Sequence, residues 1–140
     1  YRGSSAALND LLGCQIQLMF ENPPTVLSHV RGGKLRALAV TGKERLAALP
    51  DVPTATEAGV PGFVATSWTT VALSSKVPQA VVEKISADVR KVINTPEFRK
   101  GLEDQGMSAV ANSLADAKTF VTSEKARWDR VIQEGQVSAD

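Results

Sequence analysis

The sequence predicts an α/β fold in its first half, and three observations carry that prediction. Helical and apolar extended segments alternate from Ser4 to Thr41. Glycine closes each helical segment, at Gly13 and again at Gly32-Gly33. Residues 35–41 (LRALAVT) are apolar on both faces, as in a parallel strand covered on two sides. Together they give the βαβαβ rhythm of a doubly wound layer. The second half reads differently, as mostly helix.

In order, residues 4–12 form a helix that follows a Gly-Ser turn, and such a turn wants a strand before it. Only Tyr1 and Arg2 stand there, so the chain reads as the later portion of a larger protein. Residues 15–20 (QIQLMF) are a short apolar strand, and Pro23-Pro24 opens a second helix because proline suits a first helical turn. After the 35–41 strand, Leu49-Pro50-Asp51-Val52-Pro53 is a turn-rich connection. Thr54 and Glu57 then form a capping box for a helix of one or two turns, closed by Gly59. Residues 63–73 (FVATSWTTVAL) are rich in β-branched and aromatic residues and read as a strand interrupted near Ser67-Trp68.

Pro78 opens a helix whose apolar positions Val81, Val82, Ile85, Val89, Val92 and Ile93 follow the 3.6-residue period. Thr95-Pro96 starts a shorter helix ending near Gly106, and residues 107–111 suggest an edge strand. Ser113 and Asp116 form a second capping box. It opens a long helix with Phe120, Val121, Trp128, Val131 and Ile132 expected inward. Two unlike halves point to pieces of two lobes.

Composition narrows the function classes. With 140 residues and 43% hydrophobic content the chain can bury a core. Sixteen basic and fifteen acidic residues are interspersed, which argues against a nucleic-acid footprint, since that needs clustered Lys and Arg. No apolar run approaches the ~20 residues that cross a bilayer. Cys14 has no second cysteine for a disulfide or a metal, and its place between Gly13 and an apolar strand suggests a small buried filler. His29 stands apart from any carboxylate or thiol at ligand spacing. Neither a nucleophile elbow, a zinc signature nor a phosphate-binding loop is present, so no catalytic role, metal or cofactor is expected.

Three places remain as ligand-site candidates. Gly3-Ser4-Ser5-Ala6 lies at a helix N-terminus, where backbone N–H groups lack partners and the helix dipole adds partial positive charge. Three residues after Ser4 and Ser5 stand Ala7 and Leu8, so no capping carboxylate competes for those amides. An external carboxylate or phosphate can take them; the alternative is an ordinary serine cap. Asn22 lies at the second strand-to-helix junction, on the same sheet edge as Gly3 in an open α/β layer. Capping its own helix is the favoured pattern for Asn22, and offering its amide to a ligand is the other. Glu21 beside it would repel an anion but could pair with an ammonium group. Trp68, after a Pro-Gly turn, suits a cleft wall or interlobe packing equally.

These segments carry a family resemblance. Tyr1-Arg2-Gly3-Ser4-Ser5-Ala6-Ala7-Leu8-Asn9-Asp10-Leu11-Leu12-Gly13 resembles a Tyr-Lys-Gly-x-x-x-Ala-x-x-Asp-Leu-Leu-Gly-Gly signature. Residues 32–41 (GGKLRALAVT) resemble a second, and residues 49–54, 57–63 and Ser67-Trp68 a third. In this order they resemble the extracytoplasmic solute-binding receptors of tripartite tricarboxylate transporters, the TctC-like or Bug family. The resemblance covers nearly the whole chain. Arg2 replaces the signature's Lys, and Cys14 replaces the second Gly of its closing pair.

The resemblance implies a fragment of a two-lobed periplasmic-binding-protein fold, of the Venus-flytrap, type II-like class, with its N-terminal half missing. Residues 1–62 would belong to the second lobe, with 35–41 approaching the hinge. Residues 63–140 would supply a return strand and C-terminal helices that pack on the first lobe. It implies a periplasmic, non-enzymatic receptor that captures a small carboxylate, an organic acid or an amino acid, for a membrane permease. Gly3, Ser4, Ser5 and Ala6 become the second-lobe carboxylate cradle, Asn22 a cleft-edge residue, and Trp68 a residue near the hinge. Other readings are an effector-binding domain of a transcription regulator and an α/β enzyme fragment. A fragment of this kind is expected to self-associate through uncovered apolar surface.

Overall fold

The computed structural model describes residues 1–138. Five helices run through them: α1 (Ser4–Leu12), α2 (Pro23–Arg31), α3 (Gln79–Ile93), α4 (Pro96–Glu103) and α5 (Leu114–Gly135). The chain divides into two compact units. The first comprises Tyr1–Val71 with Pro96–Ala109, and the second Ala72–Thr95 with Val110–Asp140. Residues 63–71 and α4 thus group with the first unit.

In that unit the small core is made by Ala7 and Leu8 of α1, Leu27 of α2, and Ala55, with Thr54 buried beside them. Three helices here end in the same way. Past each C-terminus one residue turns left-handed, and two backbone bonds close back on the last turn, the Schellman arrangement. After α2 that residue is Gly33 (φ 70°), with Gly33 N–H on Val30 O at 3.0 Å and Lys34 N–H on His29 O at 2.9 Å. After α4 it is Gly106 (φ 73°), with Gly106 N–H on Glu103 O at 2.8 Å and Met107 N–H on Leu102 O at 2.9 Å.

After α1 the left-handed residue is Cys14 (φ 57°), with Cys14 N–H on Leu11 O at 3.1 Å and Gln15 N–H on Asp10 O at 2.7 Å. Cys14 is exposed, not the buried filler expected. The left-handed turn that the motif demands carries its side chain outward.

Gly106 also sets the distance between elements. A Cβ on it would lie 2.7 Å from Cβ of Pro23 and 3.2 Å from Cδ1 of Leu27, so the turn after α4 sits against the first turns of α2. The connection at residues 54–60 keeps its expected reciprocal cap. Thr54 N–H donates to Glu57 Oε2 at 2.7 Å, and Glu57 N–H donates to Thr54 Oγ1 at 3.1 Å. The segment is a turn rather than a helix, because the chain reverses at Gly59 (φ 98°) before a second turn can form. Arg45 adds an ion pair to Glu57 at 2.9 Å. That guanidinium, helped by the Thr54 N–H, lowers the Glu57 carboxyl to a pKa of about 2.

The expected strands at 15–20, 35–41, 63–73 and 107–111 are not assembled into a sheet. Among the described residues one parallel bridge is present, Val40 with Thr54, made by Val40 N–H on Pro53 O and Ala55 N–H on Val40 O, both at 2.8 Å. Residue 41 is tied to the 63–68 segment, with Ala65 N–H on Thr41 O at 2.9 Å. Apolar patterning reports that a segment is built to be covered; a ladder needs a partner strand at about 4.8 Å as well.

The second unit shows the same deficit. α5 starts on its expected cap, Asp116 N–H on Ser113 Oγ at 3.1 Å. Yet no residue of α3 or α5 is buried. Phe120, Val121, Val131 and Ile132 are exposed rather than inward, and Trp128 is 38% exposed, its indole N–H on Glu124 and the Arg127 guanidinium 5.5 Å above its ring. The stripe of α3 is half-buried at Val82, Ile85, Val89 and Ile93.

The surface area measures the deficit. The chain exposes 10684 Å². A compact monomer of 14.9 kDa exposes about 7,000 Å², and two separate compact units of these sizes would expose about 8,400 Å² together. An excess of about 2,000 Å² or more is of the order that obligate interfaces bury.

Candidate functional site

All six expected site residues lie in the first unit. Gly3 caps α1 with φ 123° and ψ 165°, a backbone region essentially confined to glycine. No side chain caps this helix. The backbone N–H groups of Ser4, Ser5 and Ala6 find no acceptor among the described residues, and all three residues are exposed. Nothing lies within 4 Å of a Cβ built on Gly3, so the space in front of the turn is open. Tyr1 holds the entering chain in place. Its hydroxyl donates to Asp10 Oδ2 at 2.8 Å, and that bond to a carboxylate raises the phenol's pKa above its ordinary value. The result is a glycine-led turn with three outward amides, the arrangement that binds anions at helix N-termini.

The second junction differs in a way that the sequence contains. Asn22 occupies the N-cap position of α2 with extended backbone (φ −74°, ψ 139°), but its side chain makes no cap bond. Pro23 and Pro24 carry no N–H, and the next amide, Thr25 N–H, is taken by the backbone carbonyl of Asn22 at 3.1 Å. The capping duty favoured for Asn22 is therefore corrected: of the two donors a cap side chain accepts from, the one at Pro24 does not exist and Thr25 N–H is already bonded to the Asn22 carbonyl. Its Oδ1 accepts instead from Ser67 Oγ at 2.6 Å, across 45 residues of sequence. Glu21 folds back, its Oε1 accepting Asn22 N–H at 2.8 Å.

Ser67, read from the sequence only as part of the strand interruption and the Ser67-Trp68 motif, is the partner that Asn22 takes. Trp68 beside it is 42% exposed, and the Phe20 and Phe63 rings, 6.2 Å apart, bring the same two segments together. The structure thus joins Asn22 to the Ser67-Trp68 segment. An open depression of about 350 Å³ elsewhere on this unit is lined by Lys43, Arg45, Thr66 and Ser108 among others, and contains none of the six. No group of three or more potential metal-ligating side chains occurs among the described residues.

Comparison with known proteins assigns the family. The model of the "Tripartite tricarboxylate transporter family receptor" matches residues 1–137. The chain belongs to this receptor family. It is 32% identical over 134 residues to protein BugT of Bordetella pertussis, covering 96% of this chain and 41% of BugT. To the UPF0065 protein of the tcbD-tcbE intergenic region of a Pseudomonas strain it is also 32% identical, covering all of this chain and 42% of that protein. It therefore spans less than half the length of these relatives.

Solved structures agree. A Rhodopseudomonas palustris protein with adipate matches with a TM-score of 0.86 and 32% identity, over 95% of this chain and 44% of that one. The periplasmic binding protein BugD matches with a TM-score of 0.85 and 27% identity, over 100% and 48%. MatC from Rhodopseudomonas palustris with bound malate matches with a TM-score of 0.77 and 29% identity, over 94% and 46%. The fold is that of part of a two-lobed, α/β periplasmic binding protein.

Proposed function

We propose that this chain forms part of a periplasmic receptor that captures a small carboxylate and delivers it to the membrane permease of a tripartite tricarboxylate-type transporter. The observation that carries the reading is the uncapped N-terminus of α1, where Gly3 adopts a glycine-only conformation and Ser4, Ser5 and Ala6 present unclaimed amides. Donors fixed in place before binding, at the positive end of a helix, suit a carboxylate and cost little ordering. Adipate and malate in two related structures support the same ligand class. Asn22 adds a side-chain donor at the cleft edge, and Trp68 lies near the hinge. Residues 1–62 belong to the second lobe in this reading, and the opposing carboxylate contacts come from outside this chain. The protein takes no catalytic part.

Calorimetric titration of the full-length receptor with adipate and malate tests this. Gly3→Val removes the glycine-only conformation and places a Cβ in the open space before the amides, so binding should fall at least tenfold. Unchanged affinity in Gly3→Val would remove the α1 turn from the site.

A further inference from the structure

The bond between Ser67 and Asn22 has no structural duty in either element. It caps no helix, belongs to no ladder and lies at the surface, yet at 2.6 Å it links residues 45 apart. Its chemistry is directional. A serine hydroxyl that donates to an amide oxygen fixes which end of the amide faces which way. Asn22 Oδ1 is consumed, and the Nδ2 group, which has no partner among the described residues, is left as a pair of outward N–H donors. The tandem prolines make this arrangement possible by freeing Oδ1 from capping. Glu21 is restrained at the same time through the Asn22 backbone N–H, which occupies one of its carboxylate oxygens.

We propose that Ser67 is a positioning residue of the carboxylate site. Its hydroxyl holds Asn22 with the amide nitrogen presented to the ligand. A free asparagine at this place would offer its oxygen to a carboxylate as readily as its nitrogen, and the oxygen repels. The inference rests on the receptor reading above and adds a selectivity element to it: position 22 discriminates for acceptor groups because position 67 donates.

Two readouts on the isotopically labelled full-length receptor test it. In nitrogen-15 relaxation measurements the Asn22 side-chain amide should be as ordered as the backbone in the wild type and in Ser67→Thr. In Ser67→Ala its order parameter should fall. In titrations with adipate and malate, Ser67→Ala should raise Kd about five- to tenfold, the effect of one neutral hydrogen bond, while Ser67→Thr restores affinity. Ser67→Ala added to Asn22→Ala should cost nothing further, since the serine acts through the asparagine. An Asn22 amide equally ordered in Ser67→Ala, or losses that simply add in the double variant, would overturn the positioning role. Failure of both dicarboxylates to bind the wild type would remove the receptor reading instead, and the Asn22 amide signals would still decide what Ser67 does.

Discussion

Gly106 offers the sharpest test of how the first unit is held together. Alanine there meets two separate costs. At φ 73° a residue with a Cβ loses roughly 1–2 kcal/mol relative to glycine. That Cβ would also lie 2.7 Å from Cβ of Pro23, an atom fixed by the pyrrolidine ring and unable to rotate away, and 3.2 Å from the buried Leu27. Overpacking of this kind costs roughly 1–3 kcal/mol. The sum, about 2–5 kcal/mol, is a large share of the roughly 5–15 kcal/mol that stabilises a typical domain. Gly33 separates the two costs. It has nearly the same φ, 70°, and holds the same place in its own helix-ending motif, but nothing lies within 4 Å of its Cβ. Gly33→Ala should therefore show the backbone cost alone, and the alanine's effect on the unfolded chain cancels between the two variants. Urea unfolding of full-length receptor, followed by circular dichroism, should place Gly106→Ala well below Gly33→Ala. Equal losses would mean that the turn after α4 does not sit on α2 as described. Since Pro23 adjoins Asn22, Gly106→Ala should also weaken dicarboxylate binding, and Gly33→Ala should not.

Glu57 has a pKa lowered from 4.5 to about 2 by Arg45 and the Thr54 amide, so it stabilises the fold fully above pH 4.5 and loses that contribution as the pH falls toward 2. The gap in Tm between wild type and Glu57→Gln should be open at pH 6 and close over that window; a gap constant down to pH 2 would contradict the ion pair. Cys14→Gly should raise stability by about 1 kcal/mol, because cysteine occupies the left-handed place that Gly33 and Gly106 fill after α2 and α4; a loss on denaturation would show that Cys14 is held by contacts of its own. The 140-residue chain alone, with its excess of uncovered surface, should self-associate in light scattering. A clean monomer at high concentration would mean that the apolar faces of α3 and α5 find cover within the chain.

Much of this was legible in the residues. The start of α2 at its proline pair, the Ser113 cap of α5 and the reciprocal Thr54–Glu57 bonds are local events, and local residue types determine them. The strands were not legible as ladders, because residues 35–41 state a demand for cover and cannot state whether the covering strand is in the same chain. The inward faces of α3 and α5 went the same way: Val92 and Ile132 are spaced for burial and remain exposed. Asn22 is a different kind of miss. The signal lies in Pro23-Pro24, since Pro24 removes one of the two amides that a cap accepts from and leaves the Asn22 side chain open to a partner elsewhere. Cys14 could have been placed by counting from the end of α1, where the second residue past the helix turns left-handed.

The proline pair at the head of α2 also bears on how such a receptor changes over time. At α1 the donors are main-chain groups, present whatever residues occupy positions 4 to 6, so drift in the gene leaves them untouched while Gly3 is kept. At α2 the prolines remove two main-chain donors, and in the proposed site recognition passes to Asn22 and Ser67, each one codon from a different chemistry. One junction is conservative by construction and the other is free to vary. A scaffold divided in this way can hold its grip on one end of a ligand while exploring new partners at the other.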